Sequence, residues 1–167
     1  MEDGNGYGLR GQADLGNGIA LTGLYQSSSI DSDVVGTDID VTETRLGVSY
    51  THAIDKMISV AGNLETVQLD FEPEDSGQGI PALDGYSVGG KLTLTPMSQV
   101  SLYAKVAYTD LGKFFGEDVS GFEYEVGGGY SIDKNFGVFA EYRMMDMEAD
   151  DTDIELNTIR LGGRYTF

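Results

Sequence analysis

Apolar and polar residues alternate along most of this chain. In the segment 100–108, for example, Val100, Leu102 and Ala104 alternate with Ser101 and Lys105. A period of two residues indicates a β-strand with one apolar and one polar face. The alternation predicts nine strands, at about residues 7–14, 19–26, 45–51, 58–71, 86–95, 100–109, 122–130, 136–144 and 160–167. In the fourth strand the phase changes, which predicts a β-bulge near Glu65-Thr66.

Turn residues between the strands predict two kinds of connection. Short turns are expected at Leu15–Gly18, Ala53–Lys56, Thr95–Ser98 and Ile132–Asn135. Longer acidic loops are expected at about Ser27–Asp40, Glu72–Asp84, Asp110–Val119 and Asp146–Asp153. A strict alternation of short turns and long loops is typical of transmembrane β-barrels.

Aromatic residues on the apolar faces fall into two groups. At the long-loop end of the strands they are Tyr7, Tyr25, Tyr86, Tyr108, Phe122 and Tyr142. At the short-turn end they are Tyr50, Tyr130, Phe136, Tyr165 and Phe167. Two such girdles, separated by aliphatic residues and glycine, are expected where a barrel meets the two interfaces of a membrane.

Composition narrows the class of protein. The 167 residues suit one domain, residues 1–167, and 24 glycines with only 3 prolines favour strands and turns. The absence of cysteine excludes disulfides and thiolate metal sites. A net charge of −18 argues against nucleic acid as a partner. The residues Met1-Glu2-Asp3 lack the basic start and apolar core of an export signal. If the protein is exported, the sequence is expected to be either a mature form with an added Met or a chain whose true N-terminus lies upstream.

Charged residues recur on the polar faces of the strands. The predicted lumen charge network comprises Arg10, Glu43, Arg45, Glu65, Lys91, Lys105, Glu123, Glu125, Glu141, Arg143, Arg160 and Arg164. Such a set can line a selective pore, or it can fill a narrow barrel as hydrogen-bonded ion pairs. We favour the filled lumen, because eight to ten strands leave little open bore.

Neither an enzyme nor a metal centre is predicted. The single histidine, His52, is in phase with the apolar face and has no evident nucleophile nearby, so it suits a membrane interface better than catalysis. The acidic loops could attract divalent cations, but the Asp146–Asp153 segment lacks the spacing of an EF-hand. No cofactor or dedicated metal site is therefore expected.

The C-terminal segment carries the one specific motif. In the sequence Arg160-Leu161-Gly162-Gly163-Arg164-Tyr165-Thr166-Phe167, a polar residue and a glycine precede two aromatics, the second of them terminal. This arrangement of Arg160, Gly162, Tyr165 and Phe167 resembles the assembly signal of Gram-negative outer-membrane β-barrels. As a whole the chain resembles the small barrels of the OmpA/OmpX and opacity-protein kind, which are often described as porin-family proteins.

That resemblance implies an antiparallel up-and-down transmembrane β-barrel in the bacterial outer membrane. The implied partners are outer-membrane lipid, lipopolysaccharide and the barrel-assembly machinery, and the expected state is a monomer. The implied function is envelope structure or surface interaction through acidic extracellular loops. A narrow channel for small solutes or cations is the alternative function.

Two structural alternatives stay open. Bacterial barrels normally have an even number of strands. Nine visible strands therefore predict either a tenth strand upstream, which we favour, or an eight-stranded barrel with residues 7–14 folded away. A soluble lipocalin-like barrel would show the same alternation, but with the apolar face inside and the charges outside.

Overall fold

The chain forms a closed β-barrel. A computed structural model describes residues 2–32, 37–73, 82–114, 117–149 and 152–167. Nine strands in sequence order make up the barrel. They are β1 (Glu2–Gly16), β2 (Ile19–Ser32), β3 (Thr37–Ala53), β4 (Ile58–Pro73), β5 (Leu83–Met97), β6 (Val100–Phe114), β7 (Glu117–Ser131), β8 (Phe136–Ala149) and β9 (Thr152–Thr166). No helix within the described ranges is long and apolar enough to cross a membrane.

The barrel closes through a parallel pair of strands. All eight pairs of consecutive strands are antiparallel. An odd number of alternating strands leaves the first and the last pointing the same way, so β1 and β9 pair in parallel from Glu2↔Leu156 to Gln12↔Thr166. The prediction of an all-β barrel with nine strands is confirmed. The prediction that every pair would be antiparallel is wrong at this closing pair.

The strand count resolves one alternative. Residues 7–14 lie within β1, which pairs with β2 on one side and β9 on the other. The eight-stranded alternative, with these residues folded away, is therefore wrong. The described chain also closes without the tenth strand that an even count would require, because the parallel pair satisfies the backbone groups of both edge strands.

One end of the barrel, here called the turn end, carries four short connections. In the first, Gly16, Asn17 and Gly18 have φ values of 88°, 54° and 81°. Glycine and asparagine are the residues that tolerate this left-handed backbone. The second and fourth connections share the motif Ile-Asp-Lys, at 54–56 and 132–134. In the fourth, the backbone N–H groups of Asn135 and Phe136 donate to the Asp133 carboxylate, which holds the pKa of Asp133 below its usual range.

The two faces of the barrel wall differ in polarity over most of its height. Outward side chains include Leu46 and Phe122, which are 64% and 50% exposed, whereas the inward Glu123 is 1% exposed. We call the outward residues in nine segments the apolar band; these segments are 7–15, 19–25, 46–52, 58–64, 86–94, 100–108, 122–130, 136–144 and 159–167. The outward positions of the apolar band hold no Asp, Glu, Lys or Arg. The lipocalin-like alternative requires the apolar face inside and the charges outside, which is the opposite of this arrangement.

Polarity reverses towards the other end of the barrel, here called the loop end. There Thr66 and Gln68 face outward, while Val67 and Leu69 point into the barrel and are 2% and 7% exposed. The inward apolar cluster consists of Val67, Leu69, Leu83, Leu111, Val119, Met145 and Met147, with Val41 and Leu156 packed against it.

The predicted β-bulge near Glu65-Thr66 is wrong. The register of β4 runs without a break from Ser59 to Leu69 against both neighbouring strands. The sequence alternation keeps its phase; what changes at this height is which face is apolar. The side chain of Phe71, the third residue of the predicted shifted phase, lies outside the described residues.

The same reversal explains why the strands are longer than predicted. Strand β6 continues to Phe114 and β7 begins at Glu117, so most of the predicted loop Asp110–Val119 is paired strand. Strands β8 and β9 likewise extend through most of Asp146–Asp153. Outward acidic residues on these extensions resemble loop residues in sequence, so the predicted contrast between short turns and long loops was too strong. Loop acids Asp33, Glu74, Asp75, Asp150 and Asp151 lie outside the described residues.

The closing pair can be tested with cysteines, since the chain has none of its own. Tyr7 and Leu161 are outward partners across β1 and β9, so the double variant Tyr7→Cys/Leu161→Cys is expected to form a disulfide on mild oxidation. Adjacent strands lie about 4.8 Å apart, within the ~7 Å Cα limit for a disulfide. Mass spectrometry of the digested protein measures the linked peptides.

A matched pair controls for nonspecific oxidation. In Tyr7→Cys/Ala140→Cys the two positions flank Leu161 of β9 in register, at about 10 Å, and no link should form. An absent link between positions 7 and 161 in the folded protein would contradict the parallel closure.

Candidate functional site

The centre of the barrel holds a cluster of buried ions on three strands, β3, β7 and β8. Arg143 donates to the carboxylates of Glu43 and Glu123 at 2.5 and 2.8 Å. Arg45 donates to Glu123 at 2.6 Å and also pairs with Glu43. Each of these four residues is at most 3% exposed. Both carboxylates therefore bridge both guanidinium groups, which is the arrangement that buried charges require.

A second cluster lies beside the first. Arg160 contacts Glu125 and Glu141 at 2.6 and 2.5 Å. Arg10 contacts Glu141 at 2.8 Å and Glu125 at 3.3 Å, so the two arginines share two carboxylates. The Tyr103 hydroxyl donates to Glu141 and accepts from Arg10. The four ions form a closed ring of ion pairs, and this tyrosine bridges two of its members, Arg10 and Glu141.

Lys105 and Glu65 extend the first cluster along the wall. The Lys105 ammonium lies 3.0 Å from Glu65 and 3.8 Å from Glu123. Glu65 also accepts from Arg45 at 3.3 Å. With these two residues the paired set contains five cations and five carboxylates, namely Arg10, Arg45, Lys105, Arg143, Arg160, Glu43, Glu65, Glu123, Glu125 and Glu141. The formal charge of this paired network is zero.

Two of the twelve predicted network residues are not paired with carboxylates. No carboxylate of the described residues lies within 4 Å of the Lys91 ammonium or the Arg164 guanidinium. Lys91 lies over the Tyr103 ring, 5.9 Å from its centroid. Arg164 donates to the Ser131 hydroxyl at 3.1 Å. Both residues are nearer the turn end than the paired network is.

Above and below the paired network the interior has different chemistry. Along β8 the inward residues run from the loop end as Met147, Met145, Arg143, Glu141 and Phe139. The methionines belong to the inward apolar cluster, and the two ions belong to the paired network. Phe139 then borders a cavity of about 190 Å³ that lies on the turn side. The lumen thus has an apolar layer, an ionic layer and a polar cavity.

Several residues of this interior were missed at the sequence level. Gln26 accepts a hydrogen bond from Arg160, and the Arg10 guanidinium lies 4.5 Å from the centroid of the Phe139 ring. The inward phase of Tyr103 and Phe139 was visible in the alternation. Their roles were not, because they depend on which strands face each other across the barrel.

The C-terminal residues have separate structural roles. Arg160 is 1% exposed within the paired network, whereas the terminal Phe167 is 77% exposed. Tyr165 makes edge-to-face contacts with Phe136 and Phe167, at centroid distances of 4.7 and 4.5 Å. A Cβ at Gly162 would overlap the Gly8 carbonyl oxygen and the Phe139 ring, so only glycine fits there without a shift.

The chemistry available in this site is electrostatic. The five buried carboxylates each bind at least one cation, an arrangement that favours stable ion pairs over proton transfer. His52 lies on the outward face of β3, away from the lumen. No group of three or more potential metal-ligating side chains occurs in the part of the chain that the structure describes.

Comparison with known proteins adds no family assignment. Neither a protein-family model nor a curated protein matches this sequence.

Pairing should make Arg143 far more important for stability than Lys91. The variant Arg143→Met leaves Glu43 and Glu123 short of a partner, and breaking a buried ion pair from one side costs about 3–5 kcal/mol. Lys91→Met removes a lumen cation without a carboxylate partner, so we expect a loss below about 1 kcal/mol. Equilibrium urea unfolding, followed by tyrosine fluorescence, measures both values. Equal losses in the two variants would contradict the assigned pairing.

Proposed function

We propose that this protein is a small integral outer-membrane β-barrel of Gram-negative bacteria with a filled lumen. It acts in envelope structure or surface interaction and is not an enzyme. The observation that carries the proposal is the apolar band, which is free of charged residues on all nine strands. Soluble monomers rarely expose a continuous apolar patch larger than a few hundred Å². A closed barrel wrapped in apolar side chains needs lipid or a comparable apolar environment.

The height of the apolar band suits an outer membrane. Its segment 122–130 extends about 26 Å along β7, and a tilt of about 40° reduces the height to about 20 Å. Outer-membrane barrels have an apolar band about 25 Å tall. The edge of the apolar band nearest the loop end carries aromatic rings that would meet lipid head groups, namely those of Tyr25, Tyr86, Tyr108 and Phe122.

The layered interior supports a structural role over transport. The paired network crosses the middle of the lumen, and the inward apolar cluster fills it towards the loop end. An ion or solute on this path would have to cross both layers. The alternative, a narrow channel for small solutes or cations, would require rearrangement of both.

The proposed partners follow from the same surfaces. Lipid and lipopolysaccharide would contact the apolar band, and the barrel-assembly machinery would read the C-terminal residues Arg160, Gly162, Tyr165 and Phe167. Outward acids beyond the apolar band, including Asp84, Asp146 and Glu148, would face the extracellular side. There they could meet divalent cations that bridge lipopolysaccharide. The proposed state is a monomer.

A charge placed in the apolar band should impair membrane insertion. Val126 is at the centre of its segment on β7, so Val126→Arg is expected to cost about 2–4 kcal/mol of folding free energy in lipid. Gln68→Arg adds the same side chain outside the apolar band and should cost less than about 1 kcal/mol. Urea titration in lipid vesicles, with heat-modifiable gel migration as the folding assay, measures both. Clean monomeric behaviour of the unmodified protein in plain buffer would overturn the membrane assignment.

Planar-bilayer recording distinguishes a structural barrel with a filled lumen from a narrow channel. The filled lumen predicts that the inserted protein shows no steady unitary conductance, because the paired network and the inward apolar cluster occupy the path. Insertion is verified in parallel by protease protection in vesicles. Steady cation-selective openings would replace the structural role with the channel.

A further inference from the structure

The turn-side cavity has more positive charge than its own carboxylates balance. Six cations line it, namely Arg10, Arg45, Lys91, Lys105, Arg160 and Arg164, together with three carboxylates. Those carboxylates are Glu65, Glu123 and Glu125, and all three already bind cations of the neutral paired network. The excess therefore resides on Lys91 and Arg164.

These two cations lie on opposite walls. Lys91 belongs to β5 and Arg164 to β9, and four or five strand steps separate them either way round the nine-stranded barrel. Each side chain borders the same cavity of about 190 Å³. A small ligand between them would contact positive charge from two sides.

Neutral hydrogen-bonding groups complete the wall. Asn63, Thr93 and Ser101 line the cavity and can donate to an oxygen ligand. The hydroxyl of Thr22, also on this wall, is buried and makes no hydrogen bond to any described residue. Buried polar groups are normally satisfied, so this hydroxyl retains an unused bonding position.

We propose that the turn-side cavity binds a small dianionic oxyanion of the phosphate class. Two excess positive charges match two negative charges. A guanidinium fork can bind two oxygens of such an anion, and an ammonium binds phosphate as a point charge. The cavity volume suits inorganic phosphate or sulfate with its bound water, and the closed ionic layer above it makes this a binding pocket with one mouth.

Phosphate titration of the folded protein tests the proposal. The protein is studied in an uncharged, phosphate-free detergent at low salt, with inorganic phosphate as the probe and calorimetry as the readout. Binding in detergent does not require the barrel to span a bilayer, so failure here is distinguishable from failure of the proposed function. The cavity variants are Lys91→Met and Arg164→Gln. Their controls are Lys56→Met and Lys134→Met, which remove exposed charges from the turn end outside the lumen.

The expected result is saturable binding of one phosphate per barrel, in competition with sulfate. Each cavity variant should raise the dissociation constant at least tenfold, and each control should change it less than twofold. Heat-modifiable migration verifies folding; if Arg164→Gln does not fold, Lys91→Met and its controls decide the outcome. Absence of saturable binding to the unmodified protein, or equal weakening in all four variants, would overturn the proposal.

Discussion

Ten charged side chains lie in the middle of this barrel, largely removed from water, and the rest of the structure depends on their mutual neutralisation. Burying one isolated ion costs more than a small domain can offset, and even a paired ion contributes little net stability. The arrangement is tolerable because five cations meet five carboxylates, and each carboxylate bridges two or three cations. The pairing demands that strands distant in sequence hold a fixed stagger, as when Arg10 of β1 reaches Glu141 of β8.

Polarity along the wall is the second constraint, and it divides the barrel by height. Around the paired network the outer face is apolar and the inner face is polar. Beyond Tyr86 and Tyr108 this order is reversed, so that Leu69 and Met147 are buried inside while Asp84 and Asp146 face outward. One barrel therefore combines a section suited to lipid with a section built like a soluble β-domain. The boundary between them accounts for strands longer than a membrane requires.

Much of this organisation was predictable from the alternation of residues. The nine strands, and the inward phase of residues such as Arg45 and Glu123, follow from period two alone. The loop-end parts of the strands were not predictable in the same way. From Thr66 and Val67 onward the alternation continues in phase, but the polar residues face outward and the apolar residues face inward. The partner of each buried ion depends on the stagger between strands, and the parallel closure depends on which strands meet. Neither property is encoded in the pattern of one strand.

The central claim is that the apolar band, and not the whole outer wall, faces lipid. The most direct measurement is a set of nuclear Overhauser effects between detergent acyl chains and the protein, recorded by NMR on the refolded barrel in micelles. The account predicts contacts at outward band residues such as Leu92 and Val126, and none at Gln68 or Asp84. Acyl-chain contacts of equal strength at Gln68 and Val126, or no contacts at the apolar band, would contradict it.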